Sequence, residues 1–450
     1  MMDCMNPAWT KYLNSRAPRY TSYPSALAFS DATGADAYEQ ALGEIGFYEP
    51  ISIYVHIPFC QRLCWYCGCN MRVENRYERA RDYVERLCDE ARLVSAALGG
   101  AGKVTSVHFG GGTPNYLEIK DLGRILDCIE IEFGLTDGAR LDIELDPRLL
   151  RAGDIEGMAG LGFSRMSLGV QDFNPDVQKA INRIQSFELI EATVAAMRAA
   201  DISDISFDLI YGLPRQTEDS FAETVEQSIA LGADRFSVFG YAHLPSALKH
   251  QQMIKDADLP DQAARARLAM MVDQMFIDAR YRRVGFDHYA RPDNALVKAM
   301  QRGQLHRNFQ GFTDDGANAT IGLGASAISK VGGLYSQNAK DIARYGDMVA
   351  RGALATAKGV RRTERDCVVA ALVENLLCAG RADASALFSM LPAPVVAQMR
   401  QNLEAFARDG VISLDGTRID IAAEAWVLRR AVAASIDPAL EAARTYSAAV

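Results

Sequence analysis

ISIYVHIPFCQRLCWYCGCN, residues 51–70, joins an apolar run to a cluster of four cysteines. Its β-branched and aromatic residues at 51–57 predict a buried strand. Cys60, Cys64 and Cys67 follow at intervals of three and two residues, and Cys69 comes next. Four of the nine cysteines therefore crowd into ten residues, which favours a metal centre over a disulfide framework. The stretch predicts a metal-binding loop directly after a strand.

The spacing of the cysteines suggests an iron–sulfur cluster. Three thiolates can hold three irons of a 4Fe-4S cluster and leave the fourth iron open to an outside ligand. The amino-acid end of S-adenosylmethionine (SAM) suits that position, and one electron passed to its sulfonium would release a 5′-deoxyadenosyl radical. Structural zinc with Cys69 as fourth ligand is the alternative, but no second cysteine or histidine pair stands at zinc-finger spacing.

Five more strand-like runs follow, separated by amphipathic stretches such as 83–98 and 119–133. The six predicted strands are residues 51–57, 104–109, 140–145, 164–170, 204–210 and 235–239. This alternation indicates βα units with parallel strands and right-handed crossovers. We therefore expect an α/β fold, a partial (βα)6 TIM-like barrel with an N-terminal arm and a small, mainly helical C-terminal domain.

Polar and glycine-rich residues cluster at or just after these strands, where a parallel barrel places its active site. They include the cysteines, Gly110-Gly111-Gly112-Thr113-Pro114, Glu144 with Asp146, Gln171 with Asp172, Asp208 with Tyr211, and Tyr241-Ala242-His243. The sequence predicts three regions along the chain. We expect an arm or lid at 1–48, the barrel with its extension at 49–345 and the helical domain at 346–450.

Composition limits the function classes. The 450 residues carry 48 Lys and Arg against 57 Asp and Glu, a net charge of −9, which disfavours general nucleic-acid binding. No apolar run reaches the ~18 residues that a membrane span needs, and the N-terminus lacks the apolar core of a secretion signal. We expect a cytoplasmic protein, and a monomer because no heptad pattern indicates an interface.

Several motifs together resemble the oxygen-independent coproporphyrinogen III oxidase family of the radical SAM superfamily. They are PRYTSYP (18–24), the cysteine stretch, HFGGGTPNYL (108–117), IELDPR (143–148), SLGVQDFNPDVQKAINR (167–183) and HRNFQGFT (306–313). The resemblance covers roughly residues 18–329 and is highly specific.

The resemblance implies a set of cofactor residues. Cys60, Cys64 and Cys67 would bind the 4Fe-4S cluster, and Cys69 would lie near the cofactors without binding iron, as a possible catalytic residue. Two SAM molecules would bind nearby. Their expected contacts are Tyr54, Tyr66, Gly111, Gly112, Thr113, Glu144, Gln171, Arg183, Asp208, Ala242 and Ile328.

The implied reaction is oxidative decarboxylation of coproporphyrinogen III to protoporphyrinogen IX in heme biosynthesis. A 5′-deoxyadenosyl radical would remove hydrogen from the ring A and ring B propionates, which would become vinyl groups. External electron donors and acceptors are needed. Arg19 and Arg307 lie inside family motifs and are the expected contacts of the substrate carboxylates, whereas Tyr20 and Tyr23 could stack on a tetrapyrrole or pack in the core.

Two departures weaken the substrate assignment more than the cofactor assignment. Gly240 stands where the family typically has Asn, and residues 366–370 replace a typical arginine pair. The alternatives are a related radical SAM enzyme acting on another tetrapyrrole and a heme chaperone. Such a carrier usually lacks Cys69 and the PRYTSYP arm, so their presence favours the enzyme.

Overall fold

The computed structural model describes residues 6–13, 15 and 17–440. Its helices are Thr10–Leu13 (α1), Ala35–Gly43 (α2), Tyr77–Leu98 (α3), Ile119–Phe133 (α4), Asp154–Gly160 (α5), Pro175–Ala180 (α6), Phe187–Ala199 (α7), Glu218–Ala230 (α8), Gln262–Asp278 (α9), Ala295–Gln301 (α10), Ile342–Ala350 (α11), Glu364–Ala379 (α12), Ser385–Ser389 (α13), Ala393–Arg408 (α14) and Arg429–Ser435 (α15).

The strands, in chain order, are Pro50–Ile57 (β1), Phe59–Cys60 (β2), Arg72–Val73 (β3), Lys103–Gly111 (β4), Leu135–Leu145 (β5), Arg165–Gln171 (β6), Asp204–Tyr211 (β7), Arg235–Gly240 (β8), Arg282–Val284 (β9), His288–Ala290 (β10), His306–Asn308 (β11), Gly311–Thr313 (β12), Ala319–Leu323 (β13), Ile328–Val331 (β14), Leu334–Asn338 (β15), Thr356–Arg361 (β16), Arg381–Asp383 (β17), Ile412–Asp415 (β18) and Arg418–Ile421 (β19).

All six predicted strands are present, and they form the parallel array β1-β4-β5-β6-β7-β8. Strand β1 is buried along almost its whole length, as expected of a parallel strand covered on both faces. Helix α3 turns Val84, Leu87 and Val94 toward the sheet and ends at Gly99, whose φ of 61° suits a left-handed helix cap. The predicted α/β partial barrel is confirmed.

A seventh parallel strand, β13, pairs with β1 on the side opposite β4 and was not predicted. Antiparallel strands β14, β15 and β16 extend this edge, while β10 and β9 extend the other edge beyond β8. Within the described part of the chain the sheet has twelve strands, and its two end strands, β16 and β9, do not pair with each other. The barrel is therefore open.

Two hydrophobic cores divide the molecule. The first packs α3, α4 and the other barrel helices on the large sheet. The second joins the early residues Trp9, Leu13 and Ala17 to the C-terminal helices α12, α14 and α15. Strand β16 still belongs to the large sheet, so we propose that the C-terminal domain begins near Thr363, later than residue 346.

The predicted arm at 1–48 is shared between the two cores over the residues described. Tyr20 and Tyr23, left open between stacking and core roles, are buried, and both hydroxyls donate to Asp437. Helix α2 instead packs on the barrel through Ala41 and Leu42. The C-terminal domain is helical with one small antiparallel sheet, in the order β17-β19-β18. None of the described helices is long and apolar enough to cross a membrane.

Candidate active site

The cysteine loop follows β1 at the carboxyl edge of the parallel strands, where the βα connections of a barrel form a site. It borders a cavity of about 210 Å³. The walls include four loop cysteines, the glycine motif after β4 and polar residues from β5, β6 and β7. The lining residues include Cys60, Cys64, Tyr66, Cys67, Cys69, Gly111, Gly112, Thr113, Glu144, Asp146, Arg148, Gln171, Arg183, Asp208 and Phe239.

Three cysteine sulfurs each contact a polar group of their own. The Cys60 sulfur lies 3.2 Å from Thr113 Oγ1. The Cys64 sulfur lies 3.6 Å from Arg148 Nη2 and 3.7 Å from Arg183 Nη1. The Cys67 sulfur accepts from the backbone N–H of Cys69 at 3.4 Å. Hydrogen bonds of this kind stabilise thiolates and tune iron–sulfur clusters, so these three residues fit the ligand set of a 4Fe-4S cluster.

Cys69 differs from the other three cysteines. It lowers the pKa of Cys67 to about 6 by donating a hydrogen bond to the Cys67 sulfur, whereas its own pKa rises because of the same contact. Burial raises the pKa of Cys60 to about 12 in the absence of a bound metal. Among the described residues, no three His, Cys, Asp or Glu side chains converge closely enough for a single metal ion. A cube of irons takes one thiolate per iron, so its ligands need not converge in this way.

Arg183 and Arg148 both hold Asp146 beside this loop. The distances are 3.2 Å from Arg183 Nη1 and 2.6 Å from Arg148 Nη2 to Asp146 Oδ2. Burial opposes ionisation of Asp146, but the two guanidinium groups outweigh it and lower its pKa to about 2. Arg183 also donates to the Gly169 carbonyl at 2.7 Å. The arrangement keeps two cations fixed beside the Cys64 sulfur.

Two further carboxylates face the cavity from β5 and β7. Glu144 lies 3.1 Å from His108 Nε2. Burial favours the neutral imidazole, but Asp142 and Glu144 outweigh it and raise the pKa of His108 to about 9. Burial and the charge of Glu144 raise the pKa of Asp208 to about 7. These carboxylates can accept hydrogen bonds from hydroxyl or ammonium groups.

The glycine motif brings its backbone close to the cysteine loop. The N–H of Gly112 donates to the Ile57 carbonyl at 2.8 Å. A Cβ on Gly112 would stand 2.9 Å from the Pro58 carbonyl carbon and 3.0 Å from the Phe59 oxygen, closer than real Cβ contacts. Glycine is therefore required for this approach, and Gly111, Gly112 and Thr113 border the cavity.

Comparison with known proteins shows the family to which the chain belongs. Residues 54–227 fit the model of the radical SAM superfamily. The oxygen-independent coproporphyrinogen III oxidase of Bradyrhizobium diazoefficiens is 41% identical over 96% of this chain and 96% of its own length. The enzyme of that name from Pseudomonas aeruginosa is 40% identical over 93% of each chain. The chain belongs to the oxygen-independent coproporphyrinogen III oxidase family. A solved coproporphyrinogen III oxidase of Escherichia coli, described as a radical SAM enzyme, superposes with a TM-score of 0.88 at 38% identity, covering 94% of this chain and 98% of that one.

Eight of the eleven predicted cofactor contacts of this oxidase family member line the described cavity: Tyr66, Gly111, Gly112, Thr113, Glu144, Gln171, Arg183 and Asp208. Tyr54, Ala242 and Ile328 are not among its lining residues. The Tyr54 ring stacks on His108, which contacts Glu144. Gln251 links the carbonyls of Ala242 and Tyr66. Ile328 begins β14 and pairs with Gln337.

Arg19 and Arg307, the predicted substrate contacts, come together at a second cavity of about 40 Å³. Arg307 Nε donates to the Arg19 carbonyl at 3.4 Å. Sequence analysis of this oxidase family member missed Arg148, His108 and Phe239 as neighbours of the first cavity. Arg148 stands in the IELDPR motif two residues after Asp146, a signal that could have been used.

Proposed function

We propose that this chain catalyses the oxygen-independent conversion of coproporphyrinogen III to protoporphyrinogen IX in heme biosynthesis. The proposal follows from family membership over nearly the full chain. The observation that carries it is the set of three separately hydrogen-bonded cysteine sulfurs at the carboxyl edge of a parallel barrel. The propionates of rings A and B become vinyl groups, each with loss of carbon dioxide.

We assign Cys60, Cys64 and Cys67 as ligands of a 4Fe-4S cluster, with SAM at the remaining iron. When bound, this cofactor pair supplies a 5′-deoxyadenosyl radical. The protein residues hold and shield it. The backbone at Gly111, Gly112 and Thr113 borders the cavity and offers polar groups to the amino-acid end of SAM. Cys69, hydrogen-bonded to Cys67, orders the loop.

The charged groups of the cavity suit the rest of the cofactor. Glu144 and Asp208 can accept hydrogen bonds from ribose hydroxyls or from an ammonium group, and Arg183 can bind a carboxylate through two parallel bonds. We propose two SAM molecules in all, contacted by the eight lining residues together with Tyr54, Ala242 and Ile328. Arg148 and Arg183 also lie within hydrogen-bonding distance of the Cys64 sulfur.

We propose that Arg19 and Arg307 bind carboxylates of the tetrapyrrole. After a hydrogen atom leaves the β-carbon of a propionate, the substrate radical releases carbon dioxide and one electron to form the vinyl group. That electron passes to an external acceptor, and another partner supplies the electron that cleaves SAM. We further propose that the protein works as a cytoplasmic monomer.

The test is an anaerobic incubation of iron-reconstituted protein with reductant, SAM, an electron acceptor and coproporphyrinogen III. Tetrapyrroles and 5′-deoxyadenosine are quantified together by mass spectrometry. We expect protoporphyrinogen IX with matching 5′-deoxyadenosine. 5′-Deoxyadenosine without a vinyl product would redirect the assignment to another tetrapyrrole substrate. Stable heme binding with neither product, from protein with an intact cluster, would favour a chaperone.

A further inference from the structure

The second cavity, which we call the arginine cavity, lies where the arm, the barrel and the C-terminal domain meet. Its guanidinium groups come from Arg19 in the arm, Arg265 on α9, Arg307 on β11 and Arg430 on α15. Among the described residues that line it, Asp287 is the single carboxylate. This excess of positive charge in a small cavity favours an anionic ligand.

Arg307 shows the clearest need for a further acceptor. Its side chain is only 5% exposed, and its guanidinium carbon lies 4.6 Å from the centre of the Phe286 ring and 4.5 Å from that of Phe312. Nη2 lies 3.3 Å from Asp287 Oδ2, but Nη1 is buried without a hydrogen-bond partner. A buried N–H without an acceptor is costly, so a bound oxyanion would complete the site.

The other arginines are held in place from different parts of the chain. Buried Arg430 donates to the carbonyls of Ala17 at 2.7 Å and Pro18 at 3.2 Å. Burial, and the nearby charges of Arg19 and Arg307, lower the pKa of Arg430 to about 10, which leaves it cationic at neutral pH. Arg19, at the exposed side, donates to the Gly240 carbonyl at 3.0 Å. The cations are thus oriented before any ligand binds.

The size and position of the arginine cavity limit which anionic ligands it can bind. A volume of about 40 Å³ accepts a carboxylate group but not a whole tetrapyrrole. Phe239 borders both this cavity and the cluster cavity, and it is the one lining residue that the two share in the described chain. A large molecule whose body lies beside Phe239 could therefore place one carboxylate on each side.

We propose that the arginine cavity binds a propionate of the substrate that is not being decarboxylated, while the reacting propionate lies on the cluster side of Phe239. This inference rests on the proposed function. It assigns Arg265 and Arg430, together with Arg19 and Arg307, as residues that bind a free propionate and so position the tetrapyrrole.

The test compares two unreactive porphyrins on the iron-reconstituted holoenzyme. Coproporphyrin III carries four free carboxylates and its tetramethyl ester carries none, and binding is followed by quenching of porphyrin fluorescence. The variants are Arg265→Gln and, at the exposed side of the cavity, Arg19→Gln. The matched control is Arg267→Gln on the same helix as Arg265, because Arg267 is exposed and pairs with Glu218. Cluster absorbance and the KM for SAM are measured on every variant.

We expect each cavity variant to weaken coproporphyrin III binding by roughly tenfold to a hundredfold, the effect of losing one hydrogen bond between charged groups. Binding of the tetramethyl ester, which has no free carboxylate, should change much less, and the control should match the wild type. The KM for coproporphyrinogen III should also rise, and the variant that weakens coproporphyrin III binding more should raise this KM more.

Three results would overturn this inference. If the wild type turns over substrate but both cavity variants bind coproporphyrin III normally, the arginines are structural and the proposed function still stands. If the variants raise only the KM for SAM, the cavity binds the SAM carboxylate instead. If the wild type neither binds nor converts any tetrapyrrole, the proposed function fails together with the inference.

Discussion

Arg183 forms a buried ion pair with Asp146, with 3.2 Å between Nη1 and Oδ2, and the same nitrogen lies 3.7 Å from the Cys64 sulfur. Both side chains are less than a tenth exposed. The same ion pair therefore stabilises the barrel and holds Arg183 beside Cys64, a proposed cluster ligand. Removing Asp146 leaves the guanidinium groups of Arg183 and Arg148 without the carboxylate that they share.

Asp146→Asn should lower the free energy of unfolding by roughly 3–5 kcal/mol, the usual cost of breaking a buried pair. The low pKa of Asp146 sets the pH dependence. Its stabilising effect is complete above the ordinary value of 3.8 and is lost as the pH falls toward about 2. Urea unfolding at several pH values, under anaerobic conditions, measures both effects. The control Asp176→Asn breaks an exposed pair with Lys179 and should cost less than about 1 kcal/mol. Equal losses in the free energy of unfolding of the two variants would contradict the conclusion that Asp146 forms a stabilising buried ion pair.

Replacing Cys60, Cys64 or Cys67 with Ala should abolish the 4Fe-4S absorbance and SAM cleavage together, because each sulfur supplies one iron ligand. Cys69→Ala should keep the cluster, since Cys69 acts as a hydrogen-bond donor to Cys67. Iron content, visible absorbance and 5′-deoxyadenosine yield are the measurements. Loss of iron from Cys69→Ala would show that the ligand assignment is wrong.

Gly112→Ala should reduce SAM cleavage at least about tenfold, because the added methyl group meets the Pro58–Phe59 backbone and displaces the loop before Cys60. Substrate-free cleavage of SAM by the reduced protein provides the rate. Gly43→Ala is the matched control, since a Cβ on Gly43 meets no atom within 4 Å. A Gly112→Ala rate equal to that of the control would remove the steric argument.

Gly240→Ala should raise the KM for coproporphyrinogen III several-fold while the cluster and SAM cleavage remain intact. A Cβ on Gly240 would lie 2.9 Å from the Tyr211 hydroxyl and 3.2 Å from Arg265 Nη2, so the wall of the arginine cavity must shift. Steady-state kinetics with varied substrate test this. Gly160→Ala, which meets open space, serves as the control. An unchanged KM would mean that the wall tolerates the shift.

Glu90→Gln should alter how stability depends on pH. Burial raises the pKa of Glu90 to about 7, despite hydrogen bonds from Tyr345 and the Gly324 N–H. Because the folded state binds this proton more tightly than the unfolded chain, wild-type stability falls as the pH rises from 4.5 to about 7. The stability of the variant relative to the wild type should therefore rise by roughly 3 kcal/mol over that range.

Urea unfolding at pH 5 and pH 8 measures this difference for Glu90→Gln. The control Glu39→Gln makes the same replacement on an exposed part of α2, where no buried carboxyl group is removed. If the free energy of unfolding changes with pH equally in Glu90→Gln and in the wild type, Glu90 does not contribute to the pH dependence of stability.

The parallel barrel and the cysteine loop could be predicted because their signals are local. Each barrel strand is a short apolar run, and the residues that follow it share one edge of the sheet by the geometry of βα units. Strand β13 was not predicted because its apolar run, residues 319–323, is short. It also follows a long mixed segment, with no clearly amphipathic helix directly before it. Its pairing with β1 is set by tertiary packing.

The arginine cavity could be predicted only in part. Arg19 and Arg307 stood inside family motifs, but Arg265 and Arg430 lie on helices that no local pattern connects. The same holds for Tyr20 and Tyr23, whose shared acceptor, Asp437, lies at the opposite end of the sequence. Contacts of this kind depend on how the arm and the C-terminal domain pack.

The second hydrophobic core has a consequence for biosynthesis of the chain. Trp9, Leu13 and Ala17 are translated before the barrel, yet their packing partners on α12, α14 and α15 are translated after it. The barrel between them can fold while synthesis continues, since domains generally fold as units from the N-terminus. The residues of the arm cannot complete this core earlier, so the arginine cavity forms only after α15 leaves the ribosome. Nascent chains that stop before α15 should therefore possess a barrel with a cysteine loop but no closed anion site.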